Sequence, residues 1–217
     1  MKKFITIAGN IGAGKSSLVE KMSQQLNWQA FYEPVAHNPY LADFYNNMPA
    51  WGFHSQVYFL THRLRVYHDL RECSNSVILD RSLYEDAEIF ARNLYLNGNM
   101  AERDYQTYKA LYQSLLNFLP TPDLVIYLRA SVKTLQQRIH LRGRDYERYI
   151  NSEYLAQLNQ AYESWITSFS LCPVLTVPAD NLDFVSRPQH MNLILSKVQE
   201  KIAGKEEVNF LPEEYNA

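Results

Sequence analysis

Apolar positions along the chain follow two spacings. Continuous apolar runs bounded by turn residues predict buried strands over 4–8, 77–80, 123–129 and 173–177, with a further short strand over 28–32. Apolar residues at helical spacing predict helices over 15–26, 83–96, 101–119, 132–142, 151–169 and 188–202, and two helices within 39–68, separated by a break near Met48. Strands that alternate with helices predict an α/β fold, in which a parallel sheet of about five strands is covered by helices on both faces.

Length and composition limit the classes of protein that this chain can be. The 217 residues, 47% of them apolar, predict one domain over 1–204 with a polar, loosely ordered tail over 205–217. A net charge of −2 argues against a dedicated nucleic-acid binder, and the first apolar run is too short for a signal peptide or a membrane span. We therefore expect binding neither to nucleic acid nor to a membrane. Cys73 and Cys172 form no metal or disulfide pattern, so we expect a protein of the reducing cytoplasm.

The first predicted turn carries a phosphate-binding motif. Gly9, Gly14, Lys15 and Ser16 satisfy G-x-x-x-x-G-K-[ST] between a strand and a helix, which is the context of a P-loop. A tight turn that merely uses glycine is the alternative, and the flanking elements favour phosphate. Lys15 is predicted to reach the outer phosphates of a nucleotide and the Ser16 hydroxyl to help hold Mg²⁺. The predicted nucleotide-binding residues of this loop are Gly9, Asn10, Ile11, Gly12, Ala13, Gly14, Lys15, Ser16 and Ser17.

A cluster of arginines in 138–148 contrasts with the slightly acidic chain. A nucleic acid, a membrane surface, a solvated helix face and a phosphate inside an active site are all possible partners for it. Arg138 and Arg142 are four residues apart on one helix face, Gly143 breaks the helix, and Arg144 follows in a loop. Together with a P-loop, these three guanidinium groups favour a triphosphate in transfer, whereas Arg148 is expected on a solvated face.

Two acidic residues follow predicted strands, at the sheet edge where open α/β folds bind ligands. Asp80 ends the strand 77–80, which is the usual place for a carboxylate in the Mg²⁺ shell, and Arg81 comes next. An ion pair that serves only stability is the alternative reading of Asp80 and Arg81. Glu33 lies just beyond the second strand. The chain lacks the NKxD segment of switch GTPases and the LSGGQ signature of transporter ATPases.

These stretches together resemble the deoxyribonucleoside kinase family. The markers are the P-loop, the Glu33–Pro34 pair, Gln56 ahead of a Thr-His-Arg triplet, the D-R-S triplet at 80–82, and R-x-x-x-R-x-R before Glu147. HNPYLADFY and QVYFLTHR are similar to the bacterial deoxyadenosine and deoxyguanosine kinase type, which is related to deoxycytidine kinase. Animal relatives tend to carry Trp in place of Asn38, and many relatives carry a bulky apolar residue in place of Ser55.

The resemblance implies a role for each matched residue. Glu33 is implied as the general base for the 5′-OH, with Arg81 beside it, and Arg138, Arg142 and Arg144 as a lid over the phosphate donor. The implied substrate and donor contacts are Tyr45 and Glu147 on the 3′-OH, Gln56, Arg63 and Asp86 on the edge of the nucleobase, Phe90 on its face, and Asp183 with Phe184 near the donor base. A P-loop NTPase-type fold, Mg²⁺, ATP or another nucleoside triphosphate as donor, and a homodimer are implied as well.

The expected activity is transfer of the γ-phosphate to a deoxyribonucleoside in nucleotide salvage. The alternatives are a nucleoside monophosphate kinase similar to thymidylate kinase, and a non-catalytic relative kept as a structural subunit. Asp86 can only accept hydrogen bonds, so it favours the amino group of adenine. Deoxyadenosine is therefore expected as the preferred substrate, deoxyguanosine or deoxycytidine as secondary substrates, and thymidine as a very poor one.

Overall fold

The structure is a computed structural model that describes residues 2–32 and 37–215. Its five strands are all parallel and form one sheet in the order β2-β3-β1-β4-β5. The strands are β1 (Phe4–Gly9), β2 (Gln29–Phe31), β3 (Val77–Asp80), β4 (Leu124–Arg129) and β5 (Val174–Pro178). Because β1 and β3 are buried along their whole length, helices must cover both faces, and the predicted sheet is confirmed.

The strand order creates a crevice at the carboxyl end of β1. The chain builds β1, β2 and β3 on one side of the sheet and then crosses β1 to add β4 and β5 on the other side. A ligand crevice forms outside the strand ends where the order reverses in this way. In the register of the sheet Ile7 lies beside Asp80, so the loop after β1 and the turn after β3 share this edge.

The helices match the predicted series, except that the second helix of 39–68 extends to Glu72 and the helix 83–96 contains a π-helical segment. They are α1 (Lys15–Leu26), α2 (Leu41–Asn46), α3 (Met48–Glu72), α4 (Leu83–Glu85), α5 (Arg92–Leu96), α6 (Glu102–Leu116), α7 (Val132–Arg142), α8 (Ser152–Ser168), α9 (Pro188–Ile202) and α10 (Pro212–Tyr215). The break near Met48 is confirmed, because the Asn47 side chain accepts a hydrogen bond from the backbone N–H of Ala50 and caps α3. Among the described residues, no helix is long and apolar enough to cross a membrane.

The predicted helix 83–96 is one continuous element but not a regular one. It starts with a capping box between Ser82 and Glu85, and then widens into a π-helical segment, Asp86–Ala91, before α5. π-Helical turns inside α-helices often occur at functional sites. This segment carries two of the predicted substrate residues, Asp86 and Phe90.

The chain after Gly204 returns to α9. Its last described residues form α10, and Lys197 of α9 makes an ion pair with Glu214 at 2.6 Å. His190 of α9 accepts a hydrogen bond at Nδ1 from the backbone N–H of Asp183, so its Nε2–H can donate to the carbonyl oxygen of Tyr215, 3.1 Å away. These contacts tie α10 to α9, and the division into a domain over 1–204 and a tail over 205–217 stays a prediction.

Candidate active site

Two cavities open at the carboxyl edge of the sheet and share one wall. The α3 cavity is lined by apolar and aromatic residues of α2 and α3, by the turn after β3, and by the P-loop and lid. The Phe184 cavity lies beside it, between the P-loop and the residues around Phe184. The residues that line both cavities are Gly12, Lys15, Ser16, Arg142 and Arg144. The P-loop lysine and two of the lid arginines therefore lie at the junction of the two cavities.

The P-loop backbone requires glycine at its centre. Gly12 has a φ of +82°, and a Cβ atom there would lie 2.9 Å from the carbonyl oxygen of Leu135 and 2.9 Å from a side-chain carbon of Ile139. Lys15 extends back along the loop, where its Nζ donates to the carbonyl oxygens of Gly9, at 2.8 Å, and Asn10, at 2.9 Å. The loop thus wraps around the ammonium group at the N-terminus of α1, which is the arrangement that binds phosphates.

Some of the remaining P-loop residues line a cavity, and others are buried. Ile11 lines the α3 cavity and Ser17 lines the Phe184 cavity, whereas Gly9, Asn10 and Ala13 are buried in the protein interior. The Asn10 amide donates to the carbonyl oxygen of Leu155, at 2.9 Å, and to the side chain of Asn159, at 2.7 Å. Asn10 thereby ties the phosphate loop to α8.

Ser16 and Asp80 meet at the base of the shared wall. The Ser16 hydroxyl donates to Asp80 Oδ2 at 2.5 Å. A hydroxyl and a carboxylate are hard oxygen ligands, and Mg²⁺ is usually held by one or two carboxylates together with substrate phosphates, so this pair fits the predicted ion. Over the residues that are described, no group of three or more His, Cys, Asp or Glu side chains could hold a metal ion on its own.

Arg81 occupies an unusual backbone conformation at the end of β3. Its φ is +65°, in the left-handed region that residues other than glycine seldom adopt. Its guanidinium lies 4.2 Å from the centre of the Phe90 ring, and Nη1 donates to the Tyr162 hydroxyl at 3.2 Å. Arg81 and Phe90 both line the α3 cavity, so this cation–π contact forms part of its wall.

Gln56 and Asp86 present polar groups to the α3 cavity, with Arg63 behind them. Gln56 and Arg63 are both buried on α3 and lie two helical turns apart on the same face. Arg63 Nε donates to Asp86 Oδ2 at 3.1 Å, and its Nη1 donates to the carbonyl oxygens of Asp80 and Arg81. Asp86 and Gln56 line the cavity and Arg63 does not, so Arg63 orients Asp86 from one layer deeper in the protein.

One carboxylate, that of Glu147, binds two of the three lid arginines. Glu147 is 3% exposed, and its two oxygens accept hydrogen bonds from Arg142 at 2.6 and 3.0 Å, with Arg144 at 3.5 Å. Arg138 lies below them, where it donates to the carbonyl oxygens of Ala13 and Ala179 while it lines the Phe184 cavity. The lid arginines therefore form a cluster next to the P-loop, as predicted.

Arg144 precedes, and Arg148 lies within, a 3₁₀ turn that the sequence analysis did not separate from a loop. The turn, Asp145–Tyr149, follows Gly143, whose φ of +66° ends α7. Arg148 contacts exposed Asp145 and is itself exposed, so the predicted solvated position is confirmed.

Tyr45 and Glu147 line the same cavity, although they come from distant parts of the chain. The Tyr45 ring is parallel to that of Tyr146, with 6.3 Å between their centres, so α2 is packed against the 3₁₀ turn. Sequence reasoning missed four further lining residues: Leu41, Phe44, Phe59 and Tyr154. Phe59 follows Gln56 by one helical turn, and this spacing could have indicated it.

Ser55, where the sequence departs from many relatives, is fully buried beside Gln56. Its hydroxyl accepts a hydrogen bond from the Asn38 side chain at 3.1 Å, and Asn38 is also buried. Ser55 and Asn38 therefore form one buried polar pair, and neither residue lines the α3 cavity.

The loop after β5 closes the far side of the Phe184 cavity. Asp183 Oδ1 accepts hydrogen bonds from the backbone N–H groups of Val185 and Ser186, and the bond from Ser186 is the main reason that the pKa of Asp183 is lowered. Phe184 is buried against the P-loop, since a Cβ atom on Gly14 would lie 3.2 Å from its ring. Asp183 and Phe184 both line this cavity.

Glu33, the predicted general base, lies outside the described residues together with Pro34. Its role therefore stays a prediction.

The model of the family described as deoxynucleoside kinase matches residues 5–203. The chain belongs to the deoxynucleoside kinase family. It is 35% identical to the deoxyadenosine/deoxycytidine kinase of Bacillus subtilis, over 89% of this chain and 90% of that protein. It is also 35% identical to the deoxyguanosine kinase of the same organism, over 92% of this chain and 97% of that protein.

A solved deoxynucleoside kinase structure has the same architecture. The deoxyadenosine kinase of M. mycoides, solved with the products dCMP and a flexible dCDP, superposes with a TM-score of 0.82 at 36% identity. The match covers 91% of this chain and 99% of that one. The relatives at this identity are themselves deoxynucleoside kinases, which favours this reading over a monophosphate kinase and over a structural subunit. This deoxynucleoside kinase is an ATP-dependent phosphotransferase with a P-loop NTPase fold.

Proposed function

We propose that this deoxynucleoside kinase transfers the γ-phosphate of ATP, or of another nucleoside triphosphate, to the 5′-OH of deoxyadenosine. The observation that supports this most directly is the pair of cavities joined at Lys15, Ser16, Arg142 and Arg144. Two ligands that filled the cavities would meet at these residues. Cations at that junction stabilise the negative charge of a phosphate in transfer.

The Phe184 cavity is proposed to hold the donor. Its wall offers the P-loop, Ser17, Arg138 and the loop with Asp183. Ser16 and Asp80 would hold Mg²⁺ in the site, where the ion neutralises phosphate charge. Arg142 and Arg144 are partly exposed and bonded to Glu147, so their guanidinium groups can shift to phosphate oxygens without leaving the cavity wall.

The α3 cavity is proposed to hold the deoxynucleoside. Phe90 offers a ring face for the base, and Tyr45 and Glu147 offer a hydroxyl and a carboxylate for the 3′-OH. Glu33 is proposed to accept the proton of the 5′-OH, with Arg81 beside the transferring phosphoryl group.

Asp86 supports adenine as the preferred base. Arg63 binds the Asp86 carboxylate through Nε, so the group stays an acceptor that faces the cavity next to Gln56. Adenine offers an amino donor beside acceptor ring nitrogens, which Gln56 and Asp86 can both satisfy. Thymine offers a carbonyl oxygen at the same position, and a buried acceptor opposite an acceptor is unfavourable.

Identity to relatives does not choose the base, because the B. subtilis deoxyadenosine/deoxycytidine and deoxyguanosine kinases are equally similar to this chain. We extend the proposal, on family resemblance, to a homodimer that works in cytoplasmic nucleotide salvage.

A substrate screen tests the proposal. Each of the four deoxynucleosides and the matching monophosphates would be incubated with ATP and Mg²⁺, and the products separated by chromatography. We expect deoxyadenosine to be phosphorylated fastest, deoxyguanosine or deoxycytidine more slowly, and thymidine about 10⁴-fold less efficiently, the usual discrimination of a site built on hydrogen bonds. Phosphorylation of thymidine at a rate similar to that of deoxyadenosine would contradict this account.

A double variant checks the cause of the preference. Arg63→Met with Asp86→Ala removes the misplaced acceptor and the group that orients it, so thymidine should become a substrate. Asn38→Ala is the matched control, because Asn38 is buried near Gln56 but does not line the cavity. It should leave the order of substrates unchanged.

A further inference from the structure

A buried carboxylate that has no role in the proposed chemistry lies beneath the phosphate loop. Glu85, at the end of α4, is 0% exposed. Its Oε1 accepts a hydrogen bond from the backbone N–H of Gly9, at 3.2 Å, and from the Tyr162 hydroxyl, at 2.8 Å. Its Oε2 accepts from the backbone N–H of Ser82, at 2.7 Å, and from the Ser82 hydroxyl, at 3.1 Å. Glu85 thus joins the start of the P-loop, the turn after β3, and α8.

Tyr162 extends this network to Arg81. Its hydroxyl accepts from Arg81 Nη1 at 3.2 Å and lies 2.8 Å from both Glu85 Oε1 and the carbonyl oxygen of Gly9. Since that carbonyl oxygen already accepts from Lys15, the single hydrogen of Tyr162 is better donated to the carboxylate. Burial raises the pKa of Tyr162 well above its usual value, so the hydroxyl keeps this hydrogen.

The backbone of Arg81 requires support of this kind. A φ of +65° costs free energy for a residue with a Cβ atom, and such conformations persist where the surroundings fix them. The N–H of Arg81 donates to the carbonyl oxygen of Ile7 at 3.0 Å, and the next N–H, that of Ser82, donates to Glu85. Glu85 therefore holds one side of the strained residue directly, and through Tyr162 it also holds the guanidinium.

We propose that Glu85 and Tyr162 are positioning residues for phosphoryl transfer, which fix Arg81 relative to Gly9 at the start of the P-loop. The inference rests on the proposed function, which puts Arg81 at the transferring phosphate. Neither side chain lines the two cavities, so each acts through the groups that it holds. Displacement of reacting groups by about 1 Å can reduce a rate by about a hundredfold, which sets the scale of the effect.

Tyr162→Phe is the sharpest test because it removes one hydroxyl and keeps the ring. We expect kcat to fall by about tenfold to a hundredfold with KM for deoxyadenosine little changed, and the thermal midpoint to fall because buried Glu85 and Arg81 each lose a hydrogen bond. The matched control is Tyr127→Phe. The Tyr127 ring stacks on Tyr162 at 5.6 Å, but its hydroxyl donates to Glu163 and not to the P-loop. This control should keep the kcat of the unmodified enzyme.

A double-variant cycle separates positioning from general stability. If the hydroxyl acts through Arg81, Tyr162→Phe should have almost no effect on the residual kcat of Arg81→Ala. Glu85→Gln should lower kcat in the same direction, since an amide nitrogen cannot accept from N–H groups. If Glu85→Gln does not fold, the Tyr162 cycle decides alone.

The outcomes distinguish this inference from the proposed function. Loss of turnover in Arg81→Ala together with full turnover in Tyr162→Phe would overturn the positioning role and leave the kinase assignment intact. An equal loss from Tyr162→Phe with and without Arg81 would also overturn it. Full turnover in Arg81→Ala would instead remove Arg81 from the proposed function, and the positioning role with it.

Discussion

Arg63 lies behind one wall of the α3 cavity, whereas Arg142 and Arg144 line another part of it. Arg63 is buried and fully bonded to its own chain, and the other two are partly exposed. Arg63 is 2% exposed, and it donates to the Asp86 carboxylate and to two backbone carbonyl oxygens. Arg142 and Arg144 keep 34% and 39% of their side chains exposed, and both contact Glu147 at the cavity wall. A guanidinium committed to its own chain can orient a neighbour, whereas a partly exposed one can exchange its partner for a phosphate. Burial and partners, more than residue type, decide which task an arginine performs here.

The contrast with Arg63 would be wrong if the exposed arginines, Arg142 and Arg144, did not act on phosphate. We expect Arg142→Ala to reduce kcat by about 10³–10⁵, the usual contribution of an arginine that stabilises phosphoryl transfer, with a smaller change in KM for deoxyadenosine. Steady-state kinetics would measure both. Arg142→Lys keeps the charge without the planar fork, and it should recover only part of the loss. Normal turnover with weaker nucleoside binding alone would show that Arg142 does not act on the phosphate.

A second test separates charge stabilisation from proton removal. Glu33→Gln should lower kcat by about 10²–10⁴, the usual contribution of a general base, with deoxyadenosine affinity little changed. Glu20→Gln, on the exposed part of α1, is the control. If Glu33→Gln turned over at the normal rate, Glu33 would be ruled out as the base.

The sheet and the phosphate side of the site could be predicted because their signals are local. A strand, a glycine-rich turn and a helix follow one another in the sequence, so Gly12, Lys15 and Ser16 were identified together. Ser16 and Asp80 are each predicted as Mg²⁺ ligands because both follow strands at one edge of the sheet, and the Ser16–Asp80 hydrogen bond shows that they lie together.

Other parts of the site depend on contacts between distant segments. The burial of Arg63 behind Asp86 follows from the packing of α3 on the π-helical segment, which no helical spacing distinguishes from a regular helix. The link between Glu85 and Tyr162 joins residues 77 positions apart. Resemblance to relatives identified which residues surround the base, but only the fold separates those that line the cavity from those that support them.

Stability measurements test the role of the buried arginine, Arg63. Arg63→Met leaves the Asp86 carboxylate buried without its cation, which typically costs about 3–5 kcal/mol of unfolding free energy. The double change Arg63→Met with Asp86→Ala removes both charges and should cost less than the sum of the single changes. Urea unfolding of the three variants measures this. A stability of Arg63→Met equal to that of the unmodified protein would mean that the buried pair does not hold the site together.

The smallest effect is expected at Arg148, and it tests whether position or charge matters in the lid. Arg148 is four residues from Arg144, but 63% of its side chain is exposed, and its partner Asp145 is exposed as well. Exposed pairs of this kind contribute little, because water and salt screen them. We expect Arg148→Ala to change kcat and KM by no more than about twofold, the usual range for a surface substitution. If Arg148→Ala instead reduced kcat as strongly as Arg142→Ala, the positive charge of the whole segment would explain catalysis. The contacts of Arg142 with Glu147 and the cavity wall would then no longer distinguish the lid arginines from their neighbour.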